Sequence, residues 1–114
     1  MASVRVYDIG DAPRLYVQYA DASSGAPVDP TSIVLKVRNV TANITYGDVT
    51  MGMLTNSTPG LWEYNFQIPR VATSGGTYGG ENAIWAYRFE ADFTGPPPRE
   101  DSEHTFEVRG SAFY

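Results

Sequence analysis

The sequence predicts an all-β domain built from two packed antiparallel sheets, and three observations carry that prediction. Five stretches alternate apolar with polar residues, which is the period of a strand with one buried face. Clusters of Gly, Pro, Asn, Asp and Ser separate them, residues whose backbone preferences make turns. No helical periodicity of useful length appears, and 11 glycines and 8 prolines in 114 residues would disfavour one.

The elements follow in order. A first strand is expected over Val4–Tyr7, turning through Asp8, Gly10 and Asp11 into "RLYVQYA", where Leu15, Val17 and Tyr19 alternate with Arg14, Tyr16 and Gln18. After "DASSGAPVDP", with Pro30 at the strand's entry, "SIVLKVRNV" turns Ile33, Leu35 and Val37 inward and Lys36 and Arg38 outward. "VTMGML" offers a further strand through Val49, Met51 and Met53, weakened by Gly52. Beyond "NSTPG", "LWEYNFQIP" places Trp62, Tyr64, Phe66 and Ile68 on one side. "AIWAYRFEADF" does the same with Trp85, Tyr87, Phe89, Ala91 and Phe93, after the long connection "PRVATSGGTYGGEN". The Pro-rich turn "TGPPPRED" leads to "HTFEVRG", which contributes Phe106 and Val108. Six to eight such strands over residues 1–114 describe one domain of the immunoglobulin-like sandwich class. Cysteine is absent, so this sandwich has no disulfide.

Composition narrows the function. A formal charge of −5, with Lys36 as the single lysine, argues against nucleic acid, whose phosphates need clustered cations. No stretch approaches the roughly 20 apolar residues of a spanning helix, and "MASVRVYDIG" lacks an apolar signal region, so neither membrane insertion nor secretion is expected. The sequons at Asn39, Asn43 and Asn56 then read as ordinary polar turn and strand residues.

Chemistry is sparse. His104 is the lone histidine, without a nucleophile and orienter placed beside it by any motif. Glu100 and Asp101 fall in the Pro-rich turn, where water bathes them. "GGTYGG" lacks the Lys and the helix start of a phosphate cradle. Asp8, Asp11, Asp21 and Asp29 read as turn formers, because their spacing lacks the alternating oxygens of a calcium loop. The expectation is a protein with no catalytic residue, no cofactor and no metal. Among 8 Tyr, 5 Phe and 2 Trp, most sit on inward strand positions, whereas Tyr16, Tyr78, Phe113 and Tyr114 do not fit the alternation. Exposed aromatics of this kind mark contacts with other proteins. With Arg70, the last three form the predicted partner-binding set, in two segments poorly suited to self-burial.

The order "YDIGDAPRLYVQYADASSGAPVDPTSIVLKVRNV", "PGLWEYNF", "AIWAYRFEA" and "TFEVRGSAF" resembles small immunoglobulin-like virion proteins of tailed bacteriophages. The likeness runs from Val6 to Phe113. It implies a capsid decoration or cement protein that binds major capsid subunits or other virion proteins, associates with itself on the virion, and is made in the host cytoplasm. A tail or head-to-tail accessory protein is the alternative within that class. A cell-surface or carbohydrate-binding module, using Tyr and Trp as a stacking platform, is the alternative from another.

Overall fold

In the computed structural model, residues 5–8, 10–69, 83–95 and 98–109 are described. They form nine strands in two sheets, with no α-helix among them. The larger sheet has the order β1 (Val6–Asp8), β9 (Arg99–Arg109), β8 (Ala83–Asp92), β3 (Ser32–Asn39), β4 (Ile44–Thr45), with the short β5 (Val49–Thr50) also pairing β3. The smaller sheet is β2 (Arg14–Gln18), β7 (Leu61–Asn65), β6 (Thr55–Thr58). Placing β3, β8 and β9 in one sheet and β2, β7 and β6 in the other is the immunoglobulin-like arrangement.

Alternation builds the core as the sequence predicts. Leu15 and Val17 of β2, with Trp62 of β7, face Ile33, Leu35 and Val37 of β3 and Trp85, Phe89 and Ala91 of β8, all in one buried cluster. Phe106 and Val108 complete it from β9. Trp85 is fully buried and held by rings: Tyr46 stacks on it at 5.3 Å, Phe106 at 5.9 Å, and Phe66 lies 6.1 Å away. Trp62 is fixed differently, by its polar edge. Its indole Nε1 donates to Asp29 Oδ1 at 3.2 Å, and the same oxygen accepts the Gly60 amide at 2.8 Å. One carboxylate thus ties the segment before β3 to the β6–β7 turn.

Four expectations need correction. The sheets are not wholly antiparallel, because β1 runs parallel to β9, with Val6 opposite Glu107 and Asp8 opposite Arg109. An ion pair of Arg109 Nε with Asp8 Oδ1 at 2.8 Å closes that pairing and holds the Asp8 carboxyl below its ordinary range. Met51 and Met53 are not strand residues: strand β5 ends at Thr50, and Met51–Met53 is a 3-10 turn that leaves Met53 exposed. Glu100 and Asp101 lie in a strand rather than a turn, since β9 begins at Arg99. Arg99 bonds Glu90 at 3.1 Å and Asp101 at 3.2 Å across that stretch, a charged outer face that a hydrophobic alternation count passes over. Pro30, finally, is buried two residues ahead of β3 rather than at its first position.

The turns after β1 and β2 form as predicted, whereas Asn56 to Thr58 of "NSTPG" belong to β6 and only its last two residues turn. Gly10 takes a positive φ of 95°, and the Asp11 amide and carboxylate both reach back to Asp8. Asp21 accepts from the Ser23 hydroxyl and from the Ser23 and Ser24 amides, which together lower its carboxyl to a pKa of about 2. Asn39 is buried, and its Oδ1 caps the following turn by accepting the Ala42 amide at 3.0 Å. That places the first sequon's side chain inside the fold.

Tyr19 supplies a stability test. It is 3% exposed, packed edge-on against Phe93 at 5.1 Å, and its hydroxyl finds no hydrogen-bond partner among the described residues. Burial raises its pKa, and the carboxylates of Glu100 and Asp101 raise it further. Tyr19→Phe keeps the ring and removes the orphaned hydroxyl, so it is expected to raise stability by about 1 kcal/mol. Urea denaturation reads this directly, and a lowered midpoint would show that the hydroxyl is satisfied.

Candidate functional site

The two sheets differ in width, and the difference makes the site. Among the described residues, strand β2 is the last strand of the smaller sheet on its side, paired there with β7 alone. Below and beyond it the larger sheet continues through β9 to β1. The result is a groove of about 450 Å³ with β2 as one wall and the inner face of β8, β9 and β1 as its floor.

The floor is aromatic at its centre. Tyr7, Tyr87 and Phe106 line it, with Tyr7 edge-on to Phe106 at 5.5 Å and Tyr87 6.1 Å from the same ring. Strand register explains the grouping, because Trp85 pairs Phe106, Tyr87 pairs His104, and Tyr7 pairs Val108. His104 extends the floor, its ring 5.3 Å from Tyr87 and its Nε2 sharing a 3.0 Å hydrogen bond with Ser102 Oγ. Sequence reasoning missed this Ser–His contact. The signal was present in "SEH", since residues two apart on a strand share a face, but the strand was expected to start only at His104. A Ser–His pair alone is not an acyl-transfer centre. That chemistry needs an orienter and an oxyanion hole, and the Ser102 position is committed to the β8–β9 ladder opposite Phe89.

The wall is backbone. In an antiparallel pair, alternate residues direct both main-chain groups to the same neighbour. Tyr19 donates to the Gly60 carbonyl at 2.8 Å, and the Pro13 carbonyl accepts from Phe66 at 3.0 Å, so the odd-numbered residues of β2 face β7. The N–H and C=O groups of Arg14, Tyr16 and Gln18 therefore point away from the sheet, over the groove. The Tyr16 side chain is 46% exposed, as its misfit with the inward pattern predicts, and the Arg14 guanidinium lies 4.5 Å over its ring.

Charge has one sign here. Arg5 and Arg14 line the groove, and no carboxylate does. Arg14 is shared with Glu63, while the Arg5 guanidinium bonds the Tyr7 hydroxyl. A smaller depression of about 290 Å³ on the outer face gathers Lys36, Arg38 and Arg88. Each of those cations is already engaged, by Asp48, by Asn43, and by Glu90 with Glu103.

The predicted contact residues Arg70, Tyr78, Phe113 and Tyr114 lie outside the described residues. The described chain stops at residue 69, resumes at 83 and stops again at 109 at one end of the sandwich. Ile68 bonds Gly10 and Asp11 there, Asp8 pairs with Arg109, and Ala83 lies opposite Val108. The acidic turn residues do not converge, and no group of three or more His, Cys, Asp or Glu that would hold a metal occurs among the described residues.

No protein-family model, curated protein or solved structure matches the chain.

Proposed function

We propose that this domain is a bacteriophage virion component that acts by binding, as a capsid decoration or cement protein on major capsid subunits. The observation that carries the binding role is the edge of β2, without a strand neighbour among the described residues, above an aromatic floor. A main-chain edge next to apolar rings is a surface built to contact another polypeptide. The virion setting rests on the sequence resemblance described above, which runs along most of the chain. In a shell, a modest contact per copy is multiplied by symmetry, so a domain of this size holds a large assembly together without a large interface.

The test is to mix the purified protein with undecorated shells and count bound copies. Decoration predicts saturable binding with copies on the order of hundreds per shell, as shell symmetry repeats the site. A dozen or fewer would move the domain to the neck or tail. Failure to bind shells or tails would retire the virion reading. Deleting residues 111–114, or Tyr78→Ala, is expected to weaken the binding, and undiminished binding by both would remove those positions from the contact.

A further inference from the structure

We infer that the groove receives an extended acidic segment of the partner, which adds to the smaller sheet as a new strand beside β2. The inference deepens the binding role proposed above by naming how the partner is held, and it rests on that reading only for the partner's setting.

Three features of the groove point to this occupant. First, Arg14, Tyr16 and Gln18 present their main-chain donors and acceptors in one row, at strand spacing, with no neighbour among the described residues. Such a row binds backbone, and an extended peptide is what offers complementary backbone at the same repeat. In the complete immunoglobulin-like arrangement the sheet that holds β2, β7 and β6 has a fourth strand on the β2 side. The position over the groove is therefore one the fold accommodates.

Second, the floor sets the side-chain pattern. A strand beside β2 directs alternate side chains down onto Tyr7, Tyr87 and Phe106, so those positions of the occupant are apolar or aromatic. The intervening side chains point up, level with Tyr16 and Arg14. Third, the sign of charge selects the rest. The chain carries −5 overall, yet the groove collects Arg5 and Arg14 without a lining carboxylate. Carboxylates on the occupant meet Arg5 at the end of the floor and, at the rim, an Arg14 already shared with Glu63, whereas a basic segment meets like charge at Arg5.

The probes are two acetylated, amidated heptapeptides, one alternating glutamate with valine and phenylalanine, the other with lysine in place of glutamate. Fluorescence anisotropy of labelled peptide on the intact protein is expected to show the glutamate peptide binding at least tenfold tighter. Equal affinity would overturn the charge argument, and absence of binding by both would overturn the site. Arg5→Glu is expected to reverse the preference. Gln18→Pro removes one edge N–H that the β2–β7 ladder does not use, so binding falls while the fold, checked by far-ultraviolet circular dichroism, is kept.

Amide exchange gives the reading that no other binding mode reproduces. The amides of Arg14, Tyr16 and Gln18 exchange fast in the free protein and become protected with peptide, while those of Leu15 and Val17 are protected in both. Binding without that alternation would refute strand addition. Protection of the three amides in the free protein, or binding seen only after residues 1–4 are deleted, would assign the edge to this chain's own segment. Peptide binding together with failure on shells and tails would keep the strand-addition site and retire the virion reading. Shell binding unaffected by saturating glutamate peptide and by Gln18→Pro would do the reverse.

Discussion

Trp85→Ala lowers the stability of the domain by about 3–5 kcal/mol, measured by equilibrium denaturation. The side chain is fully buried and lies between three rings contributed by separate parts of the chain: Tyr46 from the β4–β5 link, Phe66 beyond β7, and Phe106 on β9. Truncation removes the transfer energy of the indole and leaves a cavity, because rings fixed by their own strands cannot all move in to fill it. The indole Nε1 has no partner among the described residues, so no compensating hydrogen bond is lost. Trp62→Ala also opens the core, and in addition it strands Asp29 Oδ1 with one donor fewer. A shift for Trp85→Ala no larger than that of an exposed control such as Ile84→Ala would mean that β8 is out of phase, since a slip of one residue exchanges its faces.

Gly60→Ala is the second large effect, with an expected cost of roughly 2–4 kcal/mol from left-handed strain and a lost hydrogen bond together. Gly60 adopts φ 81° in the β6–β7 turn, and a Cβ there would sit 2.5 Å from the Tyr19 carbonyl oxygen and 3.3 Å from Pro27 Cβ. The carbonyl cannot retreat easily, because it accepts the Val28 amide at 3.2 Å while the Tyr19 amide donates to Gly60 itself. Gly25→Ala separates the two causes. Gly25 has a similar φ of 74° but nothing within 4 Å of an added Cβ, so its substitution shows only the backbone strain, about 1–2 kcal/mol. Equal losses for the two variants would show that the close approach at Gly60 contributes nothing.

The core was legible in the sequence because burial on one face forces a period of two. Leu15 and Val17, Ile33 through Val37, and Trp85 through Ala91 all lie where that period puts them. Legibility failed where burial stops enforcing the period. The first half of β9, from Arg99 to Thr105, carries charge and polarity on both faces, and Ser102 and His104 on its inner side face the groove rather than the core. With no apolar alternation to read, it passed for a turn. The strands β4 and β5 are two residues each, too short to show any period. Parallel pairing of β1 with β9 joins residues 101 positions apart, as in Asp8 and Arg109, and nothing local in either segment announces the other.

The groove was hidden for a different reason. Its floor draws Tyr7, Tyr87 and a few residues of β9 from three strands, and its wall is made of peptide groups that every residue possesses. Only the lack of a neighbouring strand among the described residues makes that wall distinctive. The exposed Tyr16 was the one residue of the site that the alternation singled out, and it proved to stand on the wall itself.

The parallel pairing of β1 with β9 bears on how the domain carries mechanical load. Parallel strands send their outer ends in opposite directions: the chain enters β1 at Val6 from one side and leaves β9 at Arg109 from the other. Tension applied to the chain before Val6 and after Arg109 therefore pulls the two strands past one another lengthwise. The ladder bonds and the Asp8–Arg109 ion pair are then strained together, in shear, whereas an antiparallel pair pulled from adjacent ends opens one bond at a time like a zip. In an assembly that stretches, a domain joined in this way would resist up to a threshold and then yield abruptly.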